Sequence, residues 1–187
     1  LVQAILFCAK LENTDLRSAR LERANLSGAR LEGADLGSAG MEGANLRMAN
    51  LEGADFSGTR LTGANLSEAR LERTNLIGAQ LEACDLSAAR MAGANLSKAR
   101  MQRSDLRSAR LEGATLSRAR LEQARLGGAQ LKGADLRSAD FRGADWGGVP
   151  IRAALAHFAD LRTTGMLLQS QLEQVIGDRF TLLPDRM

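Results

Sequence analysis

The side chains of this 187-residue chain that could do chemistry are one histidine, two cysteines, and Asp, Asn, Ser, Arg and Glu at regular spacing. A zinc site wants several His or Cys ligands, and His157 has neither a second histidine nor a CxxC pair to join. A Ser-His-Asp triad would have to recruit that same His157 from a terminal segment. No Gly-rich phosphate loop is present, because the glycines recur at fixed short intervals, where tight turns want them. The recurring Asp and Asn could be mistaken for cation-ligand ladders. They lack the GGxGxDxUx pattern of a calcium β-helix, and short side chains of this type bond local backbone at turns. No catalytic, metal or cofactor residue is therefore assigned, no cofactor is expected, and the chain is expected not to be an enzyme.

Composition points to an unusual core. Apolar residues make up 44%, yet aromatics are 3%, with no Tyr, one Trp and 19 Gly. That apolar content is too high and too regular for disorder. No uncharged run reaches the roughly 18–20 residues of a membrane span, and no signal-peptide pattern is present. Net charge is +3, and the repeated region alone carries the same +3, so neither an acidic nor a basic block stands apart. Interleaved signs argue against a nucleic-acid partner, which needs a patch of one sign.

The elements that must position these side chains follow from a period of five. Centred on Leu6, Leu11, Leu16 and Leu21, the register holds for 30 units to Ile151. The centres are Leu except Met41, Phe56, Met91, Met101, Phe141, Trp146 and Ile151. Two residues before each centre stands Ala, or Thr14, Thr59, Thr74, Cys84, Ser104 and Val149. A period of five fits neither a helix nor a heptad. The alternate pair does fit a strand, where residues two apart share a face. Each unit is thus a short extended piece with two inward residues, followed by a corner. Just before the centre, Asp or Asn alternates with a position that is mostly Arg, which implies an even number of sides. Four sides of five residues enclose both inward slots.

The units Ala24-Asn25-Leu26-Ser27-Gly28 and Ala34-Asp35-Leu36-Gly37-Ser38 resemble the A(D/N)LXX unit of the pentapeptide-repeat family. The resemblance implies an all-β solenoid, the right-handed quadrilateral β-helix. Stacked at the roughly 4.8 Å strand spacing, 30 units make about 7–8 coils. Residues twenty apart then lie above one another, and Leu31, Leu51, Leu71, Met91, Leu111 and Leu131 form one core ladder. Arg and Glu columns share two opposite sides, for solubility and register. The other two sides carry Ser and Gly, low in relief, and could accept another β-surface. Met48 and Ile77 are the outward apolar residues in mid-stack, a candidate surface contact. Cys8 and Cys84 fall roughly 18 Å apart along the axis, beyond the ~7 Å reach of a disulfide. They are expected to be free thiols, Cys84 an inert core residue, in a cytoplasmic protein.

The repeats are expected to run over residues 1–165, with 151–165 distorted. Pro150 to Arg162 fits either a helix or one more coil. Residues 166–187 are expected to form a short C-terminal α-helical cap and tail, because Ser170-Gln171-Leu172-Glu173 is a capping-box pattern. Leu1 to Ala9 is apolar except Gln3, with no polar cap before it. An upstream segment is expected there: a capping helix, a partner domain or a membrane anchor. The residues in hand make no membrane contact themselves. The function that follows is a non-catalytic rigid scaffold or protein-interaction module, binding a protein partner or itself through flat faces or coil ends. The family resemblance supplies an alternative, a DNA mimic protecting a type II topoisomerase. Net positive charge and the lack of a corner loop disfavour it.

Overall fold

Every five-residue unit is one β-turn and one bridged residue. The Leu at the centre begins the turn, and its carbonyl accepts the N–H three residues on, as in Ala24 N to Leu21 O at 3.0 Å. The third residue of the turn takes a left-handed conformation throughout, from Gln3 at φ 56° to Ser138 at φ 57°. That is the signature of a type II turn, which normally asks for glycine. Gly supplies it at many corners, and Met48, Arg73, Ala83 and Lys98 accept it at others. The residue before each centre then pairs in parallel with the one twenty positions on.

The computed structural model describes residues 1–147 and 149. In it the bridges define four sides. Side I runs Ile5, Asn25, Asn45 and on to Asp145; side II runs Lys10, Arg30, Asn50 to Gln130. Side III runs Asp15, Asp35, Asp55 to Asp135, and side IV runs Arg20, Gly40, Arg60 to Asp140. The chain visits them in that order, so I lies opposite III and II opposite IV. The expected distorted coil at 151–165 and the cap at 166–187 fall outside the described residues, as does His157.

The backbone accounts for its polar groups almost completely, as a buried chain must. Take the unit around Leu26. Asn25 N donates to Ala4 O at 2.9 Å in the coil below, and Leu26 N to Asn45 O at 2.7 Å in the coil above. Gly28 N donates to Arg47 O at 2.9 Å above, and Ala24 N closes the preceding turn. Only the N–H just after the centre lacks a backbone acceptor.

The interior is two nested sets of ladders. Leu31, Leu51, Leu71, Met91, Leu111 and Leu131 are all fully buried, and so are Ala34, Ala54, Ala94 and Ala114 beside them. Burying one Leu is worth roughly 1.5–3 kcal/mol, so the stack rests on many equal contributions and on neighbours. Hydroxyl and thiol residues in the Ala slot are satisfied inside. Thr59 Oγ1 donates to Leu36 O at 2.8 Å, Thr74 Oγ1 to Leu51 O at 3.0 Å, and Cys84 Sγ to Leu61 O at 2.9 Å. At the lowest level Leu6, Leu11 and Leu16 are only half-buried, and Leu1, Val2, Ile5 and Phe7 are exposed.

Candidate functional site

The surface chemistry follows from which side chain precedes each centre. On sides I and III it is mostly Asp or Asn, and its Oδ1 accepts the one N–H the backbone leaves over. Ser27 N donates to Asn25 at 3.1 Å, Ser57 N to Asp55 at 2.7 Å, and Ser87 N to Asp85 at 2.9 Å. The serine hydroxyls of Ser27, Ser67, Ser87 and Ser97 donate to the same oxygens at 2.6–2.7 Å. The Asp and Asn columns are therefore the fifth hydrogen bond of the repeat. Where Arg follows the centre, it forks onto the Asp before it: Arg17 to Asp15, Arg107 to Asp105, Arg137 to Asp135. The Arg17 guanidinium and its backbone N–H hold the Asp15 carboxyl down at about 2. Burial pushes the Asp55 carboxyl up, but the Ser57 N–H, its hydroxyl and the Asn75 amide outweigh that, and the net direction is down.

Sides II and IV obey a different rule. Each Arg reaches the Glu one coil below: Arg30 to Glu12 at 2.8 Å, Arg60 to Glu42 at 2.7 Å, Arg90 to Glu72 at 2.7 Å, Arg100 to Glu82 at 2.6 Å. Arg110 and Arg120 instead turn to Glu112 and Glu122 of their own coil, at 3.4 and 2.8 Å. The cause is in the sequence: the positions below them hold Ala92 and Gln102, as Val2 stands below Glu22, which Arg20 meets at 3.5 Å. Asn50, standing where Arg is usual, still reaches down to Glu32 at 2.6 Å. Burial raises the Glu42 carboxyl, and the Arg60 hydrogen bond overcomes it, so its direction is down. Where Thr62, Ala83 and Gln102 stand, side IV has a shallow depression of about 400 Å³, also lined by Glu82 and Glu122.

Met48 and Ile77 are both exposed, at 54% and 40%. The fold does not bring them together. Both stand in turns, Met48 on side I and Ile77 on side III, opposite. Cys8 is exposed and Cys84 buried, both free. Burial pushes the Cys84 thiol up to about 12, which keeps it an inert thiol. Among the described residues no group of His, Cys, Asp and Glu is placed to hold a metal, and no helix is long and apolar enough to cross a membrane.

Counting charge by level corrects the reading that no block stands apart. Residues 11–89 carry 8 Lys and Arg against 12 Asp and Glu, and residues 90–137 carry 11 against 4. The column is acidic below and basic above. Lys98 and Arg118, stacked on side III, have no anionic partner among the described residues, unlike most arginines of sides II and IV. Composition hid them. Reading every twentieth residue along one side would have shown them.

A four-sided parallel solenoid of five-residue units, with two arginine-glutamate sides and two low-relief sides, is what these bridges lay out. The sequence profile of pentapeptide repeats matches in 8 copies over residues 4–43, 39–76, 74–113 and 114–145, and the chain belongs to that family. Among solved structures it is similar to HetL, a pentapeptide repeat protein involved in heterocyst differentiation regulation from the cyanobacterium Nostoc sp. strain PCC 7120. Identity is 29%, over 99% of this chain and 87% of that one, with a TM-score of 0.55. It is also similar to trypsin-treated QnrB1, a plasmid-mediated fluoroquinolone resistance protein. There the identity is 22%, over 98% and 90% of the two chains, with a TM-score of 0.67, a likeness of fold. No curated protein sequence matches the chain.

Proposed function

We propose that this protein is a non-catalytic rigid scaffold that binds protein partners through sides I and III. The observation that carries this is the hydrogen-bond economy of those sides. Asp and Asn are consumed by the backbone, as with Ser67 N on Asn65 at 2.9 Å and Ser97 N on Asn95 at 3.1 Å. What projects is a regular surface in which Ser and Gly alternate with a few charged and apolar side chains, on a column tied coil to coil at every unit. A pre-ordered surface loses little entropy on binding. The test is capture of a partner by the intact chain, compared with Ser87→Arg on side I and Ser97→Arg on side III. Both columns already carry Arg elsewhere, at Arg107 and Arg137, so the fold tolerates these changes. Loss of capture by one variant and not the other locates the face; capture unchanged by both would sink the reading.

A second reading draws on the likeness in fold to QnrB1: protection of a type II topoisomerase by mimicking DNA. Net charge of +3 opposes it. The bridges also run from Ile5 to Asp145 without an insertion, so the described residues offer no corner loop. A gyrase protection assay separates the two, since the scaffold reading expects no protection.

A further inference from the structure

Among the described residues, the four inner charges of side III stand in an antisymmetric order about the level of Ile77. Its seven bridged levels among the described residues run from Asp15 to Asp135, and the fourth holds Asn75, Ile77 and Gly78. One level below the middle stands Asp55, and one above stands Lys98. Two below stands Asp35, and two above stands Arg118. The outermost levels each hold a forked pair, Asp15 with Arg17 and Asp135 with Arg137. The inner charges are underused within the chain. Asp55 has no cationic partner among the described residues, Asp35 meets only Arg17 at 3.5 Å, and Lys98 and Arg118 have none. Among the described residues, Ile77 is the exposed large apolar residue of this side, and it sits at the middle of these levels. Side I shows no such order: going up, its charges are Arg47, Glu68, Asp85, Asp105 with Arg107, Arg125 and Asp145.

We infer that side III is a self-complementary interface on which a second copy of this chain docks antiparallel. A two-fold axis running along the strand direction at the level of Ile77 generates it. That axis maps each level onto its mirror level and keeps the position across the side. Ile77 then meets Ile77 of the other copy. Lys98 of one copy lies over the small Gly58 of the other, and its long side chain extends back across Ser57 toward Asp55. Arg118 lies over Ser38 and Gly37, beside Asp35. This is the isologous geometry of a closed dimer, with an apolar centre and a charged rim. The inference rests on the reading of sides I and III as protein-binding faces. The face is roughly 29 Å tall and roughly 10 Å wide, below the ~800 Å² per partner of a standard interface. The dimer is accordingly a weak one, with a dissociation constant in about the micromolar range, and it weakens as salt screens the rim.

Sedimentation velocity on the full chain from about 1 to about 200 µM tests this. A monomer–dimer equilibrium is expected, with Lys98→Glu/Arg118→Glu and Asp35→Asn/Asp55→Asn each weakening it by about tenfold or more. The Asn variants keep an acceptor for the turn N–H, as Asn75 and Asn95 do. Mixed together, the two double variants should associate more tightly than either alone, because one set of opposite charges is restored. Ile77→Cys in a Cys8→Ser background should cross-link to itself under mild oxidation, and Met48→Cys in that background should not. Circular dichroism confirms that each variant is folded. A chain that stays monomeric at the highest concentration overturns the dimer. So does a dimer indifferent to both charge variants, or stoichiometric duplex-DNA binding at about 150 mM salt that is lost with Lys98 and Arg118. If the monomer still captures a partner that Ser87→Arg releases, the scaffold reading stands and only the dimer falls.

Discussion

Cys84 and Cys8 show how the same side chain is given two fates by position. Cys84 replaces an inward Ala, donates to Leu61 O, and is pushed up to about 12 by burial. Cys8 stands at an exposed corner. A thiol reagent at pH 8 should therefore label one cysteine per native chain and two after denaturation. Two fast thiols in the native protein would mean that the coil around Cys84 opens readily. Corner residues carry a second residue-scale cost. Gly63 has φ 69° and nothing within 4 Å of where a Cβ would stand. Gly63→Ala meets no clash, so any loss is backbone strain alone, about 1–2 kcal/mol. Chemical denaturation should show that loss; a neutral result would mean the corner relaxes at no cost.

At the scale of one unit, the Asp or Asn before the centre closes the hydrogen-bond account. Asp85 accepts both the N–H and the hydroxyl of Ser87. Asp85→Ala leaves that N–H without its acceptor and should cost about 1 kcal/mol. Asp85→Asn keeps the acceptor and should cost much less. Equal losses in the two variants would show that charge, not the turn bond, is what the position supplies. Both sides of this comparison are legible from sequence, because Asn and Asp interchange along the column while Ala never stands there. The arginine sides were less legible. That Arg reaches down one coil, and turns to its own coil where Val2, Ala92 or Gln102 stands below, depends on which side chains lie twenty residues apart.

At the scale of the whole column, each coil leans on its neighbours. Leu71 is fully buried in mid-stack. Leu71→Asp puts an unpaired carboxylate into that ladder and should unfold several coils, seen as loss of amide protection over a block of residues rather than one unit. Acid should act on the column as well. The folded carboxyls of Asp15, Asp55, Asp105 and Glu42 lie below their ordinary values. A depressed folded pKa means the native state binds fewer protons, so stability is present above the unfolded value, near 4. It is lost as pH falls from there toward about 2, where Asp15 titrates. The melting temperature should be flat between about pH 7 and pH 5 and fall below about pH 4. A rise on acidification would reverse the sign of the carboxylate contribution.

Sequence by itself determined the unit, the two inward slots and the core. A period of five with Leu and Ala two residues apart admits one way to bury both, as Leu31 to Leu131 and their Ala neighbours show. It determined the family too, since thirty units in unbroken register leave no other reading of Ala24-Asn25-Leu26-Ser27-Gly28. Only the tertiary structure decided what each side presents. Stacking places residues twenty apart in contact and residues five apart on different sides. Met48 and Ile77, two mid-stack apolar residues in sequence, end on opposite faces for that reason. Asp35, Asp55, Lys98 and Arg118, far apart and averaged away in a net charge of +3, line up on one side. Composition sums over the circumference of the coil, and a partner meets only one side of it.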